Sequence, residues 1–366
     1  TRLDRAAIAK LIEGRRVLIT GSGGSIGSEL ARQVAETKPA RLILLDHGEY
    51  NLYCIDREIA EHTPTLSRRA VLGDIRDQMF LDQIFGTEKP ELVFHAAALK
   101  HVPLAESNPC EAVLTNVIGT RHVADASQAF GATAMVQIST DKAVNPSSIM
   151  GATKRLAESY CQALDRQDSG AKAHYVTVRF GNVLGSAGSV VPLFQRQLAQ
   201  GGPLTVTHPD VARYFMTVRE AVELVLQAST LAIHSNSVAN EPSGAKSGQL
   251  YVLDMGEPIL IQHLARQIIR LSGLRPDVDV AIEYVGLRAG EKLSEELFHE
   301  HETLVPTGHE AIRLANARSI ELSLLAQRLT ELAGHAEARR IQPTLAILRE
   351  LVPEYRSEPP ENAAAQ

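Results

Sequence analysis

The feature that most restricts how this chain can fold is the run Thr20 to Gly27, TGSGGSIG. It follows a short apolar, β-branched segment, RRVLIT (15–20), and precedes a stretch in which Ile26, Leu30 and Val34 recur at helical spacing. A strand that turns directly into a helix needs glycine where the backbone reverses and where two backbones touch. Gly21, Gly24 and Gly27 fall at such a spacing. The first N–H groups of the helix have no partner within it and point at whatever anion lies in the turn. Ser25 and Ile26 open that helix and join the three glycines as candidates to hold a pyrophosphate.

Further apolar runs lie at 41–46, 69–72, 91–94, 134–138 and 174–180, separated by helix-compatible stretches. Alternating strand and helix predicts an α/β protein with a Rossmann-type, doubly wound parallel sheet. After Phe180, glycines and prolines multiply, and a smaller C-terminal lobe is expected. The boundaries read as a dinucleotide domain over 1–183 with a helical extension at 1–14, and a mainly substrate-binding lobe over 184–356 whose elements can interleave with the first. The polar segment 234–248 reads as an exposed loop and 357–366 as a disordered tail.

Asp46 ends the second strand, where a carboxylate accepts hydrogen bonds from an adenosine ribose and repels a 2′-phosphate. The cofactor expected is therefore NAD rather than NADP. Asp74 and Ile75 follow the third strand and suit an adenine edge, though an aspartate there can equally cap a helix. Ala96 and Ala97 follow the fourth strand, with side chains small enough for a flat cofactor to lie against the sheet.

A formal charge of −6 and a pI near 6.1 give no basic field for nucleic acid. Cys54, Cys110 and Cys161 lie far apart without metal or disulfide spacing and read as small apolar residues of a reduced protein. No apolar run reaches the length of a membrane-spanning helix. His299-Glu300-His301-Glu302 reads as a solvated face, because histidines two residues apart diverge on a helix.

The most informative stretch is Ser139 to Lys154, STDKAVNPSSIMGATK, at the C-terminal end of the fifth strand, where open α/β sheets place their ligands. With it the chain, from about Arg15 to about Phe298, resembles the extended short-chain dehydrogenase/reductases that modify nucleotide sugars. TDK followed by MGATK is similar to the bacterial UDP-N-acetylglucosamine 4,6-dehydratases of surface-polysaccharide synthesis. Most of that superfamily has YxxxK, whereas here Met150 takes the tyrosine's place, as in a branch associated with membranes and with retention at C5.

The resemblance implies a tightly bound NAD regenerated each turnover: hydride leaves C4, the ketone acidifies C5, a base takes the C5 proton, an acid expels the C6 hydroxyl, and hydride returns to C6. It makes Lys142 the C5 base and Asp141 the acid, with Thr140 relaying the C4 hydroxyl proton and Lys154 on the nicotinamide ribose. A lysine base must be neutral, so burial and the positive nicotinamide are expected to depress Lys142 and to keep Asp141 protonated. FGNV (180–183) resembles the segment on nicotinamide and sugar, with Val183 at the cofactor and Asn182 on the diphosphate side. Arg213 in ARYFMT and Arg288 in LRAGEKLSEEL resemble diphosphate-binding arginines, Glu291 the partner of the uridine ribose, and Lys100 a flanking cation.

The expected partners are a UDP-sugar and further copies of the chain, as a homodimer or larger homo-oligomer. The active site is expected on the cytoplasmic side, with a start at Thr1 that suits a soluble domain cut from a membrane-tethered protein. A C5-inverting dehydratase is the close rival, a UDP-sugar 4-epimerase a more distant one, and an NAD-sensing scaffold the non-enzyme reading.

Overall fold

The structure, a computed structural model, describes residues 3–167, 173–186, 188–235, 248–299, 302–315 and 320–356. Six parallel strands form its centre: β1 (Arg16–Thr20), β2 (Arg41–Asp46), β3 (Arg68–Leu72), β4 (Leu92–His95), β5 (Ala134–Thr140) and β6 (His174–Phe180). Apart from the half-exposed edge strand β3, their side chains are buried almost without interruption, as expected of strands covered by helices on both faces.

The full sheet has nine strands among the described residues, ordered Leu304–Pro306, Ile312–Ala315, Leu250–Leu253, β6, β5, β4, β1, β2, β3. Leu250–Leu253 pairs parallel with β6, while the last two strands run antiparallel. Strands from the C-terminal part of the chain therefore extend the same sheet as β1 to β6. Strand order reverses between β1 and β4, and a ligand crevice is expected above that point, at the strands' C-terminal ends.

A separate small core of Phe194, Leu204, Val206, Val211, Ile261, Ala265, Ile269 and Val280 marks the smaller lobe. It is built on helices Val190–Ala199 and Ile261–Leu271 and on short strand pairs, among them Leu204–Val206 with Ile282–Tyr284. Helices Leu322–Glu337 and Ile341–Leu351 pack instead against the core of the main sheet. They join the core of helix Ile149–Asp165, in which Ile149 through Leu164 are all buried.

At the N-terminus, Arg5–Ile12 form a helix. Cys110 and Cys161 are core residues, whereas Cys54 is exposed. Most of the polar segment 234–248 and the whole tail 357–366 lie outside the described residues. No described helix is long and apolar enough to cross a membrane.

Candidate active site

β1 hands the chain to Gly21, whose φ of +66° is in the left-handed region that favours glycine. A Cβ there would lie 2.6 Å from the Ala97 backbone, and one on Gly27 would lie 1.9 Å from the Gly21 carbonyl oxygen. Helix Ser25–Glu36 begins at Gly24 with no side-chain cap, and the first N–H groups of a helix have no carbonyl partner within it. The Ser22 hydroxyl is buried with no partner among the described residues, an orphan polar group in the same turn.

Asp46 is buried at the end of β2 and accepts from the N–H groups of Gly23 and Gly48, both at 2.8 Å. These bonds hold the carboxylate at the rim of a cavity of about 490 Å³ lined by Gly21, Gly24, Asp46, Asp74, Ile75, Ala96 and Ala97 among others. A cradle too tight for a Cβ at Gly21 or Gly27, a helix terminus without a side-chain cap, a fixed carboxylate and a cavity between them all fit a dinucleotide. Asp74 faces the cavity paired with Arg76, which outweighs burial and holds its carboxyl below the ordinary range. Ile75 is buried in the wall.

The second half of the site gathers at the end of β5, which runs two residues further than the apolar pattern indicated and delivers Thr140 at its tip. Asp141 to Ala143 form one short turn of 3-10 helix. The Thr140 hydroxyl donates to Asp141 Oδ1 at 2.9 Å, and Lys142 Nζ donates to the same oxygen at 3.0 Å. Lys142 Nζ also donates to Asn182 Oδ1 at 3.1 Å and lies 3.4 Å from Glu295 Oε1.

Asp141 is fully buried, and its Oδ2 has no partner among the described residues. Burial, reinforced by the Glu295 charge, pushes its pKa up against the pull of Lys142, in the direction expected. Lys142 departs from expectation. Burial works to lower it, but the carboxylates of Asp141 and Glu295 outweigh that and raise it, so the lysine rests as an ammonium.

On helix Ile149–Asp165 the Lys154 side chain is buried and donates to the Ile138 carbonyl at 2.6 Å. Burial lowers it to about 8. Met150 packs in the main core with nothing to offer a proton. Arg213 is buried, donating to the carbonyls of Ala212, Leu293 and Lys292 and pairing with Glu291 at 3.3 Å. In this structure it therefore braces the lobe, and Glu291 is held by Arg213 and by the Thr207 hydroxyl. The Arg288 backbone N–H donates to Glu291, with the residue itself exposed, and Lys100 is exposed beyond β4. Val183 is buried beside Asn182 on the short strand Asn182–Leu184.

Three residues escaped or reversed the sequence reading. Glu295 is buried against Lys142, yet it sits in a charged run, EKLSEEL, that looks like surface. His299 and Glu302 are buried rather than solvated, because Arg179 of β6 has no exposed surface and takes Glu158 and Glu302 as counterions at 2.6 and 2.7 Å. Glu300 and His301 lie outside the described residues.

This combination of fold and site defines a Rossmann-type protein of the short-chain dehydrogenase/reductase class. More narrowly, the chain belongs to the polysaccharide biosynthesis protein family, which it matches over residues 17–317. Capsular polysaccharide biosynthesis protein CapD of Staphylococcus aureus is 47% identical over 301 residues, 82% of this chain and 48% of that protein. The chain thus spans about half of CapD's length. The inverting UDP-N-acetylglucosamine 4,6-dehydratase of Campylobacter jejuni is 31% identical over 78% of each chain, and the UDP-glucose 4-epimerase of Rickettsia rickettsii 33% over 79% of each. The X-ray structure of Pen from Bacillus thuringiensis superimposes with a TM-score of 0.71 at 29% identity, over 87% of this chain and 99% of that one.

Proposed function

We infer that this chain catalyses the NAD-dependent 4,6-dehydration of UDP-N-acetylglucosamine to UDP-2-acetamido-2,6-dideoxy-α-D-xylo-hexos-4-ulose, with C5 configuration retained, for surface-glycan synthesis. The observation that carries this reading is the buried Asp141–Lys142 contact at the end of β5. Acid and base side by side are what elimination across C5 and C6 requires, whereas inversion at C4 alone needs no base at C5 and no acid at C6. Family membership and the dehydratase and epimerase relatives support the nucleotide-sugar class.

The glycine turn would hold the pyrophosphate of NAD and Asp46 its adenosine ribose, and the cofactor would supply the hydride acceptor for C4 and the hydride donor for C6. Asp46 bears no room for a 2′-phosphate without like-charge repulsion. Lys142 removes the C5 proton once a ketone stands at C4, and Asp141 gives a proton to the departing C6 hydroxyl. Thr140, already bonded to Asp141 Oδ1, passes the C4 hydroxyl proton to that carboxyl, a route that asks nothing of Met150. Lys154 holds the nicotinamide ribose, Arg213 and Arg288 the diphosphate, Asn182 and Lys100 flank it, and Glu291 takes the uridine ribose. Arg213 then shares its charge between phosphate and Glu291.

Retention at C5 rests on Met150 and belongs to this proposal, as do a homo-oligomeric state and work at the cytoplasmic side of a membrane. Incubation with UDP-N-acetylglucosamine, followed by NMR and mass spectrometry, tests the reading. A product lighter by one water with a C4 ketone supports it, unchanged mass with interconversion at C4 assigns an epimerase, and no turnover with NAD bound assigns a sensor.

A further inference from the structure

Residues 290–299 lie along 142–147 as a clasp. Ser147 Oγ donates to the Gly290 carbonyl at 3.0 Å, Lys292 Nζ to the Val144 carbonyl at 2.9 Å, and Asn145 Nδ2 to Glu296 Oε2 at 2.7 Å. Asn145 has a φ of +40° and also meets His299 Nδ1 at 2.9 Å. A left-handed asparagine bonded from both ends of its amide fixes the loop that follows Lys142.

Within the clasp, Glu295 turns inward to Lys142 and stands 3.9 Å from Arg213 Nε. It is 6% exposed, and its Oε2 has no partner among the described residues. An anion buried this deeply, with half of its carboxylate unused, is costly unless its charge is needed where it lies. We propose that Glu295 is the positioning residue of Lys142: it fixes the ammonium beside Asp141 and accepts the proton that Lys142 must shed before it can take one from C5.

This rests on the dehydratase reading and completes its proton count. At rest Asp141 and Glu295 are carboxylates and Lys142 an ammonium. The C4 hydroxyl proton passes through Thr140 to Asp141 as hydride leaves for the nicotinamide dinucleotide. Lys142 then gives an N–H proton to Glu295 and, now neutral, breaks the C5–H bond while the C6–O bond breaks and Asp141 protonates the leaving hydroxyl to water. As hydride returns to C6, Lys142 protonates C5 and recovers its own proton from Glu295. All three groups end as they began, and in deuterated water the label reaches C5 from the exchanged N–H positions of Lys142.

The groups facing Glu295 are Lys142, Arg213 and Lys292, which together outweigh burial and hold it below the ordinary carboxylate range, with Asp141 across the lysine. The wild-type rate should therefore stay level down to mildly acidic pH. In Glu295→Gln the lysine has no acceptor and must be deprotonated beforehand by solvent. The acid limb of kcat then moves to higher pH, with a loss at neutral pH on the order of tenfold to hundredfold that alkaline conditions partly restore. KM should change little, and Glu295→Asp should recover part of the rate.

The experiment follows kcat and KM for UDP-N-acetylglucosamine against pH in wild type, Glu295→Gln and Glu295→Asp. It adds deuterium incorporation at C5 and thermal unfolding of each variant. A displaced acid limb in Glu295→Gln, with partial rescue by aspartate, is the expected result. An unchanged pH profile, whether at full rate or uniformly reduced alongside a lower Tm, overturns the proposal and leaves the dehydratase reading standing. A wild-type product without deuterium at C5 overturns both.

Discussion

Replacing Gly27 with alanine tests whether the turn after β1 is a ligand cradle. The added Cβ would stand 1.9 Å from the Gly21 carbonyl oxygen, 2.7 Å from the Gly21 carbonyl carbon and 2.9 Å from Ser22 Cα. A carbon and an oxygen at rest need roughly 3.3 Å, so the turn must move by more than about 1 Å, and none of these three atoms belongs to a flexible side chain. Overpacking of this kind costs about 1–3 kcal/mol. If the displaced turn is the pyrophosphate seat, most of that cost falls on binding, a weakening of roughly 5- to 150-fold. Gly24→Ala is the internal control, since its Cβ would meet the Gly21 oxygen at 3.2 Å and needs only a small adjustment. Calorimetric titration of the cofactor-free protein with NAD, beside thermal unfolding of each variant, separates binding from folding. Equal NAD affinity in Gly27→Ala and wild type, at comparable stability, would refute the assignment of this turn to the cofactor.

Lys154 is lowered by burial from 10.5 to about 8. A lysine depressed in the folded state carries a cost of roughly 3 kcal/mol at neutral pH, relieved as pH rises from about 8 toward 10.5, because only the unfolded chain then keeps its proton. Wild-type stability should therefore gain on Lys154→Met across that window in urea titrations; a difference independent of pH would contradict it. Arg179→Ala leaves Glu158 and Glu302 buried without their shared cation and should cost about 3–5 kcal/mol by the same denaturation assay. Met150→Tyr should not raise activity, because the position is core, and the larger ring should destabilise by about 1–3 kcal/mol in thermal unfolding.

The parallel half of the fold was legible because β1, β2, β4, β5 and β6 are buried on both faces and so read as largely apolar runs. The strands of the C-terminal part were not. Leu250–Leu253 and Ile312–Ala315 are four residues each, and they belong to the sheet only through pairing with residues far away in sequence. The glycine turn and Asp46 could be placed from local spacing, since their chemistry is set by one strand, one turn and one helix. Lys142 was misjudged for the opposite reason: its basicity depends on Glu295, brought to it by the clasp from over 150 positions downstream. Glu302 was misjudged because its charge looked like surface, although Arg179 inside an otherwise apolar strand was a signal that buried counterions must arrive from elsewhere.

The central claim is that Lys142 takes the C5 proton in an elimination. The direct test is to run wild type and Lys142→Ala with UDP-N-acetylglucosamine in deuterated water and read C5 of the sugar by NMR. The account predicts a 4-keto-6-deoxy product carrying deuterium at C5 from wild type, and its loss in Lys142→Ala with NAD still bound. Equal C5 labelling in the two proteins, or a wild-type product that keeps its original C5 proton, would contradict it.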